Sequence, residues 1–229
     1  MIITIDGRVA TGKSTIARKV AESLGFIYFD TGAMYRAVTY AIMKDHIDYQ
    51  NEEALKKYIS TLQLNIKLFR GEKNYIVNGE NVTEQIRTPE VTQKVSEISA
   101  LQPLRDKLVA FQRELGNNVN AVFEGRDMGT VVFPKADLKI FLTGSPEIRA
   151  KRRYEDLLAR YPHLKDKLSL EKVLEETNKR DEYDSARTNS PLRQADDAYV
   201  IDTSNMTPDE VMMAVLEFRD RIKLKKDNL

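Results

Sequence analysis

Residues 1–16 read Met1-Ile2-Ile3-Thr4-Ile5-Asp6-Gly7-Arg8-Val9-Ala10-Thr11-Gly12-Lys13-Ser14-Thr15-Ile16. The β-branched run Ile2-Ile3-Thr4-Ile5 predicts a buried strand that ends at Asp6-Gly7. From Ser14 onward Ile16, Ala17, Val20, Ala21 and Leu24 recur at helical spacing, and Gly25 stops the helix. Between strand and helix, Gly7 to Ser14 fits G-x-x-x-x-G-K-S. The spacing has a mechanical reason. Glycines let the backbone curl until successive N–H groups point inward at an anion, and the helix that follows adds its positive dipole end. A lysine here reaches the β- and γ-phosphates of a nucleotide, and the serine hydroxyl ligates Mg²⁺. The strand before the loop and the amphipathic helix after it are the context such a phosphate loop requires.

Outward from the loop the rhythm is α/β. Phe26 to Phe29 predicts a second strand ending at Asp30-Thr31-Gly32, and Ala33 to Met43 a second helix. A short helix is expected over Ala54 to Leu62. Leu64 to Phe69 and Tyr75 to Val77 then alternate apolar and polar residues, and Asn78-Gly79 is a hairpin turn because both residues tolerate positive φ. Asn65 to Thr83 is therefore expected to form a small antiparallel sheet inserted in the α/β pattern. Helices follow over Pro89 to Ala100 and Pro103 to Leu115. Strands return at Ala121 to Phe123, Leu138 to Leu142 and Tyr199 to Ile201, with charged helices at Pro146 to Arg160 and Leu170 to Arg187. Thr207-Pro208-Asp209-Glu210 opens the last helix with a capping box, and the charged tail from Lys223 is expected to fray. The expected fold is a three-layer α/β domain with a five-stranded parallel sheet, a β insert and a helical lid. Its expected subregions are a core at 1–35, 104–148 and 188–229, an acceptor-binding region at 36–103 and a lid at 149–187.

Composition removes other chemistries. With no cysteine among 229 residues, disulfides, thiolate zinc sites and thiol catalysis are excluded. His46 and His163 are the only histidines, too few for a His metal site or a Ser-His-Asp triad. A net charge of +1 gives no bulk field for nucleic acid or membrane, so anions must meet local clusters. No run approaches the roughly 18 apolar residues of a membrane span, and Met1 to Ile5 is too short for a signal peptide. A cytoplasmic monomer acting on small molecules is expected.

A GTPase would carry Asn-Lys-x-Asp after a later strand, and none occurs. Instead the third core strand runs into Glu124-Gly125-Arg126-Asp127, and an arginine there suits a second phosphate. Arg149, Arg152 and Arg153 share one helix face; Arg180, Asp184 and Arg187 share another. Two readings are open for each set: a solvated, ion-paired face, with pairs such as Arg152 to Asp156, or a lid that closes on nucleotide and stabilises transferring charge.

Longer stretches add a different signal. Ile5-Asp6-Gly7 with Gly12-Lys13-Ser14, Asp30-Thr31-Gly32-Ala33-Met34-Tyr35-Arg36, Ile86-Arg87-Thr88 with Glu90-Val91, Gly125-Arg126-Asp127-Met128-Gly129-Thr130-Val131-Val132-Phe133-Pro134, Arg149 to Arg153, and Arg180-Asp181 to Arg187 with Pro191-Leu192, Ala195 and Asp197-Ala198 stand in this order. In this the chain closely resembles the bacterial cytidylate kinases from Ile5 to Ala198. Gly125 to Pro134 is its most specific part, and the family also carries a β insert in its NMP-binding region.

The resemblance implies transfer of the γ-phosphoryl group of ATP to CMP or dCMP with Mg²⁺. It implies that Gly7, Arg8, Val9, Ala10, Thr11, Gly12, Lys13, Ser14 and Thr15 hold ATP, with Ser14 on the metal. Thr31, Arg36 and Arg126 match residues at the CMP phosphate, and Ser96, Arg105 and Asp127 those that read cytosine. Arg180 and Asp184 match residues at the pentose, and Arg187 one near the transferring phosphate. Lys13, Arg126, Arg152 and Arg187 are the expected catalytic cations. An Asp, an Arg and a hydroxyl can complement the amino, carbonyl and ring-nitrogen groups of cytosine. A solvent-facing Ser96 and a structural turn cap at Asp127 are the plainer alternatives. The loop departs from the family, where Pro commonly follows the first Gly; Arg8 either touches phosphate or covers surface. No general base is needed, because the acceptor phosphate is already an anion. Shikimate- or gluconate-type kinases share the loop, and a non-catalytic nucleotide-binding regulator is a third reading.

Overall fold

The computed structural model describes residues 1–69 and 72–227. Two compact units emerge, Met1–Phe29 with Gly116–Leu229, and Asp30–Leu115.

The first unit is built on strands β1 (Ile2–Gly7), β2 (Ile27–Asp30), β6 (Ala121–Gly125), β7 (Leu138–Thr143) and β8 (Tyr199–Asp202), with helices α1 (Lys13–Leu24), α6 (Pro146–Arg160), α7 (Leu170–Ala186) and α8 (Pro208–Asp227). The five-stranded parallel sheet has the order β2-β6-β1-β7-β8. β1 lies between β6 and β7, with Ile5 opposite Glu124 on one side and Ile140 on the other. Central strands are buried on both faces, so Ile3, Thr4 and Ile5 are all fully enclosed. Ile16, Ala17 and Val20 of α1 and Val211 and Val215 of α8 pack with Ile3, Val122, Ile140 and Ile201 of the sheet. This puts the carboxyl ends of β1, β6 and β7 together, where open α/β sheets carry their ligands.

The second unit holds α2 (Thr31–Lys44), α3 (Glu52–Thr61), β3 (Leu64–Phe69), β4 (Glu72–Val77), β5 (Glu80–Asn81), α4 (Pro89–Ile98) and α5 (Gln102–Leu115). β3, β4 and β5 form the antiparallel insert expected from the alternation. Asn78 and Gly79 make its turn with φ of 49° and 85°. The expected sheet also included Arg70 and Gly71, which lie outside the described residues.

Boundaries moved where caps outrank apolar spacing. Asp30 accepts from the Ala33 N–H at 2.8 Å, so α2 begins at Thr31 rather than Ala33. Asn51 accepts from the N–H groups of Glu53 and Ala54, so α3 begins two residues before its expected start. Helix persists to Asp227 where the tail was expected to fray; Asn228 and Leu229 lie outside the described residues. The Gly125–Pro134 stretch contains a π-helical turn that periodicity does not predict. In it Val132 N–H donates to Asp127 O at 3.2 Å and Phe133 N–H to Met128 O at 2.7 Å.

Candidate functional site: a phosphate loop and two arginine clusters

The loop from Gly7 to Ser14 closes at the end of β1. A side chain at Gly7 would put its first carbon 2.2 Å from Leu142 O of the neighbouring strand, so only glycine fits. Gly12 has φ of 86° and Ala10 φ of 57°, the left-handed conformations that curl the loop. Gly12 caps α1, and no side chain caps that helix; Ser14 and Thr15 are exposed in its first turn. Arg8 O accepts from Thr11 Oγ1 at 3.0 Å and from Lys13 Nζ at 2.6 Å. Burial pushes the Lys13 ammonium down to about 7, and the Arg126 guanidinium pushes the same way. A dry cation beside other cations is a strong attractor for phosphate. The Arg8 side chain is 47% exposed and 4.0 Å from Asp181.

Arg149 and Arg152 are not on a solvated face. Arg149 is 1% exposed; it donates to Gly144 O, Val9 O and Asp181. Arg152 donates to Thr203 Oγ1 and Thr203 O at 3.0 and 2.6 Å rather than pairing with Asp156. It lines a cavity of ≈ 270 Å³ beside the loop, together with Thr11, Gly12, Thr15, Asp156 and Met206.

Asp6 organises the Gly125–Pro134 stretch. Its carboxylate accepts from Met128 N–H at 2.9 Å and Gly129 N–H at 2.7 Å. Burial raises the Asp6 carboxyl to about 7 despite these bonds, with Asp127 adding to the rise. Gly129 fits because a side chain there would crowd Thr4 Oγ1 and the Lys139 stem. Lys139 Nζ holds the far end through Pro134 O at 2.6 Å and Asp197 at 2.8 Å. Between these anchors Asp127 is 3% exposed, and Arg126 Nε donates to Asp184 Oδ2 at 3.1 Å. Arg187 donates to the other Asp184 oxygen. The first unit thus gathers Arg126, Asp184 and Arg187 in one cluster; Arg180 stands one turn before Asp184 on α7.

The second unit carries the other expected acceptor residues. Thr31 is buried at the first position of α2, and Arg36 NH2 donates to Asp30 at 3.1 Å. Arg105 is 3% exposed, donates to Ser99 O at 3.2 Å and lies over the Tyr35 ring at 5.4 Å. Ser96 is half-buried on α4 and is not simply solvent-facing.

Sequence reasoning gave no roles to Asp6, Lys139, Asp181, Asp197 and Met206, and took Asp156 only as a surface ion-pair partner of Arg152. For Asp6, Asp181 and Asp197 the signal was present, since each lies in a stretch that carries the family resemblance. Their partners are far along the chain, so spacing could not reveal the contacts.

Residues 3–221 match the family described as cytidylate kinase. A cytidylate kinase of Protochlamydia amoebophila is 57% identical over 99% of both chains. One of Chloroherpeton thalassium is 45% identical over 95% of this chain and 92% of its own. Among solved structures, a gluconokinase from Sinorhizobium meliloti shares the fold with a TM-score of 0.50 at 14% identity, covering 99% of this chain and 96% of its own. With the phosphate loop, the clamped Gly125–Pro134 stretch and these matches together, the chain belongs to the cytidylate kinase family of phosphotransferases, whose acceptor is itself a phosphate group.

Proposed function

We propose that the chain moves the γ-phosphoryl group of ATP onto CMP or dCMP, giving ADP and CDP or dCDP. The observation that carries the chemistry is the buried Lys13, folded onto the loop carbonyl of Arg8 beside an uncapped helix N-terminus. A triphosphate entering there gains the loop amides, the dipole of α1 and a cation that loses its cost of burial on pairing. The cavity lined by Arg152, Asp156 and Met206 takes the donor nucleotide, and Arg152, the expected catalytic cation of α6, reaches ATP from this side. Arg126 and Arg187, already ordered by Asp184, neutralise charge on the transferring group. Thr31 and Arg36 hold the CMP phosphate; Ser96, Arg105 and Asp127 read the base; Arg180 and Asp184 meet the pentose.

Among the described residues no three His, Asp or Glu side chains cluster to cage a cation. This fits Mg²⁺, which keeps water and phosphate oxygens and would take the exposed Ser14 hydroxyl from the protein. Held there, it would offset charge on the phosphates. We assign the moving part of the lid at 149–187 to its exposed middle, because Arg149 and Asp181 are buried and bonded. No helix among the described residues is long and apolar enough to cross a membrane.

The test is ADP release against a panel of nucleoside monophosphates, shikimate and gluconate. Turnover concentrated on CMP and dCMP is expected. Turnover on a sugar acid, or none on any monophosphate, contradicts the reading.

A further inference from the structure

Asp181 of α7 reaches into the phosphate loop. Its Oδ1 accepts from Val9 N–H at 3.0 Å, and its Oδ2 accepts from Arg149 at 2.5 Å. Arg149 also donates to Val9 O at 3.0 Å and to Gly144 O at 3.0 Å. Both backbone groups of one loop residue are thus held by one ion pair, whose side chains are 1% and 2% exposed. An ion pair this dry is expensive unless its remaining hydrogen-bonding capacity is met, and here loop and strand-end carbonyls meet it.

One turn along α7, Asp184 is equally buried and accepts from Arg126 and Arg187. Asp181 and Asp184 are i, i+3 neighbours on one helix face. A shift or rotation of α7 that breaks the Arg126 contact also strains the contact to Val9.

We propose that Asp181, with Arg149, is a positioning pair that couples the donor loop to the acceptor-side cluster of Arg126, Asp184 and Arg187. Phosphate on the loop favours the loop shape in which Val9 faces Asp181. That shape fixes the register of α7 and presents the cluster to CMP. Coupling of this kind is reciprocal, so CMP tightens the donor and the donor tightens CMP by the same factor. Neither residue touches substrate. The inference rests on the reading of ATP as donor and CMP as acceptor.

The experiment is calorimetric titration of CMP into the full chain, with and without a non-hydrolysable ATP analogue and Mg²⁺. The intact protein is expected to bind CMP on the order of tenfold more tightly with the analogue present. In Asp181→Asn this factor should fall toward one, while affinity for each ligand alone changes far less. Glu175→Gln, which removes an exposed ion pair with Lys179 on the same helix, should keep the factor. An unchanged factor in Asp181→Asn, or no coupling in the intact protein, overturns the proposal. Failure of the intact protein to bind CMP at all overturns instead the reading it rests on. Should Asp181→Asn not fold, Arg149→Met with Asp181→Leu removes both buried charges together and is read by the same titrations. If that also fails to fold, the pair belongs to the fold and the proposal is overturned.

Discussion

Two helices begin beside residues assigned to phosphate, and they begin differently. α1 starts from Gly12 in a left-handed conformation with no side-chain cap, after a loop that curls back on itself. α2 starts from an extended Asp30 whose side chain caps Ala33 N–H and also steadies Arg36. The first start leaves its amides without a side-chain cap and adds a buried lysine. The second satisfies an amide internally and offers a half-buried arginine and a buried threonine. On the proposed assignment, the difference suits two phosphates with different needs. The donor chain is gripped while charge moves through it, so backbone donors and a desolvated cation matter most. The acceptor phosphate, on the same assignment, need only be placed, which a guanidinium on a capped helix can do.

The comparison predicts effects of different kind and size. Lys13→Ala should lower kcat by at least about 10³-fold with the fold intact, as for other charge donors in phosphoryl transfer. Steady-state kinetics with circular dichroism checks this, and near-normal turnover would break the assignment of α1 to the donor.

Base selection should come next. Asp127 is buried at the end of the β6 stretch, and on the proposed reading its carboxylate favours a base that carries an amino donor over one that carries a carbonyl there. The intact protein should prefer CMP over UMP by on the order of 10²-fold in kcat/KM, and Asp127→Ala should narrow that gap. Equal losses on both substrates would return Asp127 to the role of a turn residue.

A smaller effect sharpens the contrast at α2. Arg36→Ala should raise the KM for CMP roughly tenfold or more, the loss of one charge-assisted contact, and leave the KM for ATP unchanged. A change confined to ATP would exchange the roles of the two helix starts.

How much of this was legible from sequence follows the distance between partners. The phosphate loop is contiguous, and its glycines and lysine declare themselves by spacing. The Asn78-Gly79 turn and the Ser145 cap of α6 are local in the same way. The burial of Arg149 was not legible. Its spacing leaves a solvated face and a lid both open, and the partners that bury it, Val9 and Gly144 together with Asp181, 32 positions on, are not visible in a helical pattern. The π turn after Asp127 is likewise held by Asp6, from a different strand. The acceptor residues scatter from Thr31 to Arg187, so family resemblance named them where periodicity could not.

Asp6 gives the smallest effect. Its carboxyl is raised to about 7 in the folded protein by burial, against roughly 4 in an unfolded chain. Between those values the folded state binds more protons than the unfolded state. The contribution of Asp6 to stability is therefore fully present at low pH and falls as pH rises through about 7. The melting temperature of the intact protein minus that of Asp6→Asn should shrink by a few degrees from about pH 5 to about pH 8. A difference that is flat across this range would mean Asp6 is charged throughout and holds Met128 and Gly129 as an ordinary carboxylate.

The fate of the transferred phosphoryl group separates donor from acceptor. Incubation with Mg²⁺, CMP and ATP labelled in its γ-phosphate, followed by separation of nucleotides, follows the group itself. The label should move into the β-phosphate of CDP, with ADP formed in equal amount. Label released as inorganic phosphate, or retained in ATP while CMP is present, would contradict the assignment of these two helix starts to donor and acceptor.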